Sequence, residues 1–408
     1  MITMLVLVVA CGSGGGPSSG AAKGPIKIGF ILPLSGTFAS NGKNEQNGWK
    51  LAQKDFGTTV AGRTIQTIYT DDQTDPSIAL TDARQLVETQ GVTMLEGPIA
   101  ANAIGVVASY AGPRKTPVDD ISLCSAAQFN YYATFGNAYS SDWNCDQPAI
   151  MAAKWFYETK GYRHVTTIGL DYAFGWINVG SFVHAFEQLG GHIDKMLWAP
   201  ITTADYSPFI PQIPSTTQAV FALAAGAASA RMTKAYASFG LKSKIPLIGT
   251  TTLTDYSALP AEDPSAIMGV NIAAQYCDGI PSSTNTKFAN EYFAAYNTYP
   301  GYYSDAGYTK YRLLITALRA LNGDTSSTQK LTHTLKSTPI QAPRGPVTLN
   351  PATWSPNENI YICQVERVNG TLRNVPIHTY PNVKPWGYLS EAQWKTWFAA
   401  DAKGRPTA

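Results

Sequence analysis

Residues able to do covalent chemistry are scattered in this 408-residue chain. The five histidines, His164, His184, His192, His333 and His378, show no metal-ligand spacing, and His164 opens a strand-like run. Gly16-Pro17-Ser18-Ser19-Gly20 matches the nucleophile-elbow pattern in its letters. That motif exposes its serine only between a strand and a helix, and neither flanks it here. Asp71, Asp72 and Asp75 crowd a strand-to-helix turn, where capping and solvation account for them. There is no Cys-x-x-Cys and no phosphate-binding loop. A secreted hydrolase is the rival reading from another class, but it needs a convergent acid, base and nucleophile. No catalytic residue, metal or cofactor is assigned.

Cysteine is more informative. The opening Met1-Ile2-Thr3-Met4-Leu5-Val6-Leu7-Val8-Val9-Ala10-Cys11 is too short to span a membrane, which takes about 20 residues, but fits the apolar part of a secretion signal. Val8-Val9-Ala10-Cys11 resembles a bacterial lipobox, so residues 1–10 are expected to be removed and Cys11 lipidated. No Lys or Arg precedes the apolar run, which departs from the usual signal. Residues 11–25, rich in Gly and Ser, then read as a flexible tether. In such a protein the sequon Asn369-Gly370-Thr371 carries little meaning. Export to an oxidising compartment favours paired thiols among Cys124, Cys145, Cys277 and Cys363. Of three connectivities, Cys124–Cys145 is favoured because it closes a short local loop. Cys277 and Cys363 then pair by default, with two buried free thiols as the alternative.

These residues need a scaffold, and composition limits which. Charged residues make up 14% of the chain, and 30 basic less 28 acidic leaves +2. An average domain is about 25% charged, and a nucleic-acid footprint needs a basic excess. With 44% hydrophobic and 11% aromatic residues the chain can build a core. From Ile26 onward strand and helix patterns alternate: IKIGFIL, TIQTIYT, VTMLEG, HVTTIGL, HIDKMLWA, QAVFAL and IPLIG read as strands. Asp75-Pro76 opens a helix with an Asp cap and Pro at the first position, and Gly112-Pro113 is expected to stop the next one near Ala111. Residues 137–146 read as a linker, and short strands are expected near 346 and 360. The order implies an α/β fold with parallel sheets in two lobes.

Ile26-Lys27-Ile28-Gly29, Pro33-Leu34-Ser35-Gly36 and Asn47-Gly48 together resemble the opening of the branched-chain amino-acid-type solute-binding proteins of ABC importers. Asp71-Asp72-Gln73-Thr74-Asp75-Pro76, Ala83 and Leu86-Val87 are similar to that family's second strand and helix. Gly97-Pro98, Lys115-Thr116-Pro117, Phe174-Gly175, Gly190-Gly191 and Asp205-Tyr206-Ser207-Pro208-Phe209 follow in family order. The resemblance implies two Rossmann-like lobes of the type I periplasmic binding protein, joined by a three-strand hinge. It places crossings near Ala138–Trp143, Gln275–Asp278 and Trp354–Asn357. Lobe one is then 25–140 plus 277–354, lobe two 141–276 plus 356–385, and 386–408 a tail with a short helix presenting Trp394, Trp397 and Phe398. It also implies a monomeric, lipid-anchored extracytoplasmic receptor that serves a membrane permease and ATPase complex, with no nucleic-acid partner.

In that family a ligand carboxylate is held by hydroxyls and backbone N–H groups from two loops of lobe one. They correspond to Ile99-Ala100-Ala101-Asn102 and Ser122-Leu123-Cys124-Ser125. The usual serine is Ala101 here, so backbone and Asn102 are expected to carry the grip. Asp119-Asp120, just upstream, reads as a solvated turn. Where amino-acid binders carry an acid for the ligand ammonium, this chain has Gly249-Thr250-Thr251-Thr252, with no carboxylate before Asp255. A buried ammonium without an anion is costly, which argues against an α-amino acid. Trp143, Tyr172, Phe174, Tyr303 and Tyr308 supply ring faces. The segment 137–250 looks most like the subgroup that binds aromatic carboxylates, with branched-chain amino acids and amides or urea as alternatives.

Overall fold

The computed structural model describes residues 24–399. The expected signal segment, Cys11, most of the tether, Ser18 and the last residues of the tail lie outside the described residues.

The first lobe forms from β1 (Ile26–Leu32), α1 (Ala39–Phe56), β2 (Thr59–Val60), β3 (Arg63–Asp71), α2 (Pro76–Arg84), β4 (Met94–Glu96), α3 (Ala101–Arg114), β5 (Val118–Leu123), α4 (Ala126–Phe135) and β6 (Ala138–Asn144). Its sheet runs β2-β3-β1-β4-β5-β6, parallel except for β2. Consecutive Phe30, Ile31 and Leu32, whose side chains alternate between faces, are all fully buried, as strands covered on both faces require. Asp75 caps α2 by accepting from the backbone N–H of Ser77 and Ile78 at 2.7 and 3.1 Å. Two expectations fail here. Pro113 does not stop α3, which runs to Arg114 and ends where Lys115 turns left-handed (φ 58°). Residues 137–146 are not a linker: β6 pairs in register with β5, and all its residues are buried.

The second lobe continues with α5 (Gln147–Lys154), β7 (His164–Leu170), α6 (Ala173–Gln188), β8 (His192–Ala199), β9 (Ala219–Leu223), α7 (Ala227–Ser238), β10 (Leu247–Thr250), the short α8 (Pro264–Ile267) and β11 (Asn271–Ala274). The chain then adds α9 (Ser283–Tyr296), α10 (Tyr302–Ala320), α11 (Thr328–Ser337), β12 (Ile340–Ala342) and β13 (Gly345–Leu349), with α10 packed on α1. It closes with β14 (Pro356–Val368), β15 (Thr371–Val383) and α12 (Glu391–Ala399). The second sheet runs β12-β13-β14-β11-β10-β9-β7-β8, with β15 on β14. The strand near 360 is the first arm of a long hairpin. Asn369 and Gly370, read above as a sequon, form its two-residue turn with φ of 49° and 84°, the left-handed geometry that Asn-Gly favours. No helix among the described residues is long and apolar enough to cross a membrane.

The chain leaves the first sheet after β6, returns after β11 to pack α10 on α1, and rejoins the second sheet through β12, β13 and β14. These passages are tied together: the Ser140 N–H donates to the Trp354 carbonyl at 2.9 Å, and the Gln147 amide donates to the carbonyls of Pro356 and Val383 at 3.3 and 2.9 Å. Arg344 lies at this junction, fully buried among Asp142 of β6, Asp305 of α10 and Glu358 of β14. A second buried cation, Lys310, faces Glu45 at 3.2 Å and Glu96 at 3.9 Å and donates to the Asp119 carbonyl at 3.1 Å. Disulfides join Cys124 to Cys145 and Cys277 to Cys363, so both expected pairings form. In the tail, Ser390 and Gln393 cap α12 reciprocally, and Trp394 is fully buried with its indole N–H on the Asp146 carboxylate.

Several buried carboxyls have only neutral hydrogen-bond partners. Burial pushes Asp120 up to about 8, opposed by donation from the Tyr132 hydroxyl. It likewise pushes Asp146 and Glu262 to about 7. Groups with raised folded pKa contribute stability that is complete below their unfolded values, about 4, and lost as pH climbs through 7–8. Asp71 and Asp194 are held low by the hydrogen bonds they accept, which outweigh their burial, so their contribution is lost only as pH falls below about 4. The thermal midpoint is therefore expected to be higher at pH 5.5 than at pH 8.5. A midpoint that rises steadily from 5.5 to 8.5 by calorimetry would contradict this.

Candidate ligand-binding cleft

Parallel sheets bind ligands outside the carboxyl ends of their strands, and there the two lobes meet. The first lobe brings Phe38 just before α1, Ile99 and Ala101 at the start of α3, and Ile121, Ser122 and Cys124 at the end of β5. Trp143 comes from β6, and Tyr302 and Tyr303 from the first turn of α10. The second lobe adds Tyr172 and Phe174 at the start of α6. Together they line one small cavity.

Rings form most of its wall. Trp143 meets Phe174 edge-on at 5.5 Å between centroids and Tyr302 at 5.1 Å; Tyr302 meets Tyr303 at 4.7 Å. Phe38 and Tyr172 face one another across the lobes at 6.3 Å. The cavity measures about 20 Å³, the size of about one water. A ring-sized solute therefore enters only when the lobes part.

Two further contacts close the seam. Gly226, with a φ of 56°, lies so close to Asn41 and the Thr37 carbonyl that a Cβ would sit 3.4 Å from each. Asp255 of the second lobe accepts from the N–H of Tyr302 at 2.5 Å and from Ser257 at 2.8 Å. A carboxylate at a helix N-terminus is favourable, and burial still raises the Asp255 carboxyl above its usual range.

Polar provision in the cavity is sparse. Ala100, the N-cap of α3, has no side-chain cap to offer, and the first N–H groups of any helix lack intrahelical acceptors. The Ser122 hydroxyl lies 3.0 Å from Cys124 Sγ.

Of the residues expected at a ligand, Ala101, Ser122, Cys124, Trp143, Tyr172, Phe174 and Tyr303 are brought together. Ala100, Asn102, Ser125, Thr250 and Thr251 are not on the lining. Asn102 is exposed, because it points off the outer side of the first turn of α3. Ser125 is spent as the cap of α4, accepting from the Gln128 N–H at 3.1 Å. The threonine run turns inward: Thr250 donates to Asn178, Thr251 to Gln275 at 2.6 Å and Thr252 to the Ala224 carbonyl at 2.6 Å. Tyr308 packs away from the cavity against Phe288. Asp119 and Asp120 are not a solvated turn but buried β5 residues. Asp119 accepts from the Ser141 N–H and hydroxyl at 2.8 and 2.7 Å.

Phe38, Ile121 and Tyr302 lie outside the expected contacts, and Ile99 belongs to the first expected loop. Tyr302 had a signal, since it directly precedes Tyr303 at a helix start after Pro300-Gly301. A wider groove, about 1300 Å³, runs past Lys115, Phe135, Lys336 and Trp354. It shares no lining residue with the ring-walled cavity.

A family model described as periplasmic binding protein matches residues 25–371. Leu/Ile/Val-binding protein homolog 6 of Brucella melitensis is 28% identical over 373 residues, which are 89% of this chain and 93% of that protein. A solute binding protein of an ABC transporter from Rhodopseudomonas palustris BisB5, solved with 3,4-dihydroxybenzoic acid, is 28% identical. It has a TM-score of 0.83 and covers 88% of this chain and 98% of its own. One from Rhodopseudomonas palustris HaA2, solved with p-hydroxybenzoic acid, is 25% identical with a TM-score of 0.83, over 89% and 99% of the two chains.

Proposed function

The chain belongs to the periplasmic binding protein family, and from that premise we propose that it captures a small aromatic carboxylate for an ABC importer. It works outside the cytoplasm as a monomer, held to the membrane by lipid on Cys11, and makes or breaks no bond in its solute. One observation carries the ligand class: the cavity wall is a belt of rings from both lobes, joined by the Ser122 hydroxyl. An opened cleft would stack a benzoate-like ring between Trp143, Phe174 and Tyr172. Offset or edge contacts of this kind add about 0.5–1.5 kcal/mol each beyond burial. The ligand carboxylate would meet the N-terminus of α3 and the Ser122 hydroxyl, where dipole and free N–H groups favour an anion.

An α-amino acid fits less well. The described lining contains no carboxylate, and Asp255 already serves the N-terminus of α10. A branched-chain amino acid stays the second reading because the Brucella relative carries that name.

The test is tryptophan fluorescence titration with benzoate, 4-hydroxybenzoate, cinnamate, leucine and short amides, run on the full chain and on Cys11→Ser. Saturable binding of the aromatic acids is expected, lost for the matching methyl esters and equal in both forms, with only Cys11→Ser released from membranes. Tight leucine binding without any response to aromatic acids would overturn the ligand. Turnover of any compound would overturn the receptor reading, and membrane retention of Cys11→Ser would overturn the anchor.

A further inference from the structure

We propose that His164, His192 and Asp194, on the face of the second lobe remote from the cleft, form a binding site for a divalent transition metal such as zinc. No sequence spacing announces it, because the ligands come from two strands. His164 opens β7 and His192 opens β8, and the parallel register sets them directly opposite one another, with ring centroids 5.2 Å apart. Asp194 joins them through a fault in that register: Val165 pairs with Ile193 but Thr166 with Lys195, so Asp194 is an unpaired bulge residue. Bulges re-aim side chains and concentrate beside functional sites.

The resulting geometry suits a metal. Asp194 Oδ1 lies 2.8 Å from His164 Nδ1 and 3.8 Å from His192 Nε2. All three ligand atoms fall within 4.8 Å of one another. Zinc bonds nitrogen and oxygen at about 2.0–2.2 Å in tetrahedral sites, which sets ligand atoms about 3.3–3.5 Å apart. Rotation of the exposed imidazoles, whose side chains are 46% and 68% accessible, covers that difference.

The carboxylate is held ready from behind. Asp194 Oδ2 accepts from the hydroxyls of Thr216 at 2.9 Å and Thr217 at 3.1 Å, both from the loop before β9. Outer partners of this kind orient a ligating carboxylate. Two histidines and one carboxylate leave a tetrahedral position open to water. Arg163, next to His164 in sequence, turns away onto the Tyr157 ring. Since β8 is the edge strand, a bound ion would staple it to β7. The seven residues of β7 put roughly 20 Å between this site and the cleft.

The experiment is equilibrium dialysis of the untagged chain against zinc chloride, with thermal unfolding in parallel. The wild type is expected to take up one zinc at micromolar concentration and to melt at a higher temperature with zinc than with chelator. His164→Ala and His192→Ala should each weaken uptake at least about tenfold, and Thr216→Ala by about tenfold through the outer shell. Circular dichroism checks that these surface variants remain folded. No saturable uptake up to about 1 mM free zinc, far above the micromolar affinity proposed, would overturn the proposal. So would uptake unchanged in the double histidine variant.

Discussion

Arg344→Met is expected to lower the unfolding free energy by about 3–5 kcal/mol, the range for removing one member of a buried ion cluster. Arg344 meets Glu358 at 2.7 Å and Asp142 at 3.2 Å, also pairs with Asp305, and donates to the carbonyls of Ser141 and Asp142, both at 3.0 Å. Methionine fills similar volume but removes the guanidinium donors from these carboxyls and carbonyls in a dry site, leaving Asp142 only the Tyr302 hydroxyl at 3.2 Å. The cost is therefore desolvation left uncompensated, not the lost attraction itself. Lysine should restore little, because a compact ammonium cannot reproduce the planar fork that reaches β6, α10 and β14 together. Urea titration at pH 7 followed by circular dichroism measures the difference. A loss below about 1 kcal/mol, typical of exposed pairs, would show that the carboxyls neutralise or hydrate at little cost and that the cluster does not hold the junction.

Trp143→Ala is expected to weaken capture of an aromatic carboxylate by about 2–4 kcal/mol, the range of a buried aromatic anchor, which is roughly 30- to 1,000-fold. Trp143 lies near the end of β6, the strand that leads out of the first lobe, and it touches Phe174 and Tyr302, so it contacts both walls of the cavity. Truncation removes its face and leaves those two rings without their common neighbour. Trp143→Phe keeps a ring and should lose much less affinity while removing most of the fluorescence change. Calorimetric titration, which does not depend on the indole signal, separates the two effects. An alanine variant that binds aromatic acids within about threefold of wild type, under 0.7 kcal/mol, would place the ligand elsewhere.

The sequence by itself determined the family and the alternation of strand and helix, and it favoured the Cys124–Cys145 pairing while leaving Cys277 and Cys363 open between a bridge and free thiols. These rest on signals that act over a few residues: apolar runs, the Asp75-Pro76 cap and turn chemistry. Even there a local signal was misread. The residues that became β6 carry Tyr, Ser, Asp and Asn and look like a loop, yet they are buried because Asp119, Tyr302 and Arg344 partner their polar groups. The same physics hid the rest. Whether Asp120 meets water or Tyr132, whether Thr251 faces a ligand or Gln275, and which acids surround Arg344 depend on partners from other elements. His164 and His192 are neighbours only through strand register. Local pattern decides which elements form, since propensity and capping act within a turn or two. The destination of a polar side chain is decided by whichever distant group satisfies it once water is excluded, and only the tertiary structure supplies that group.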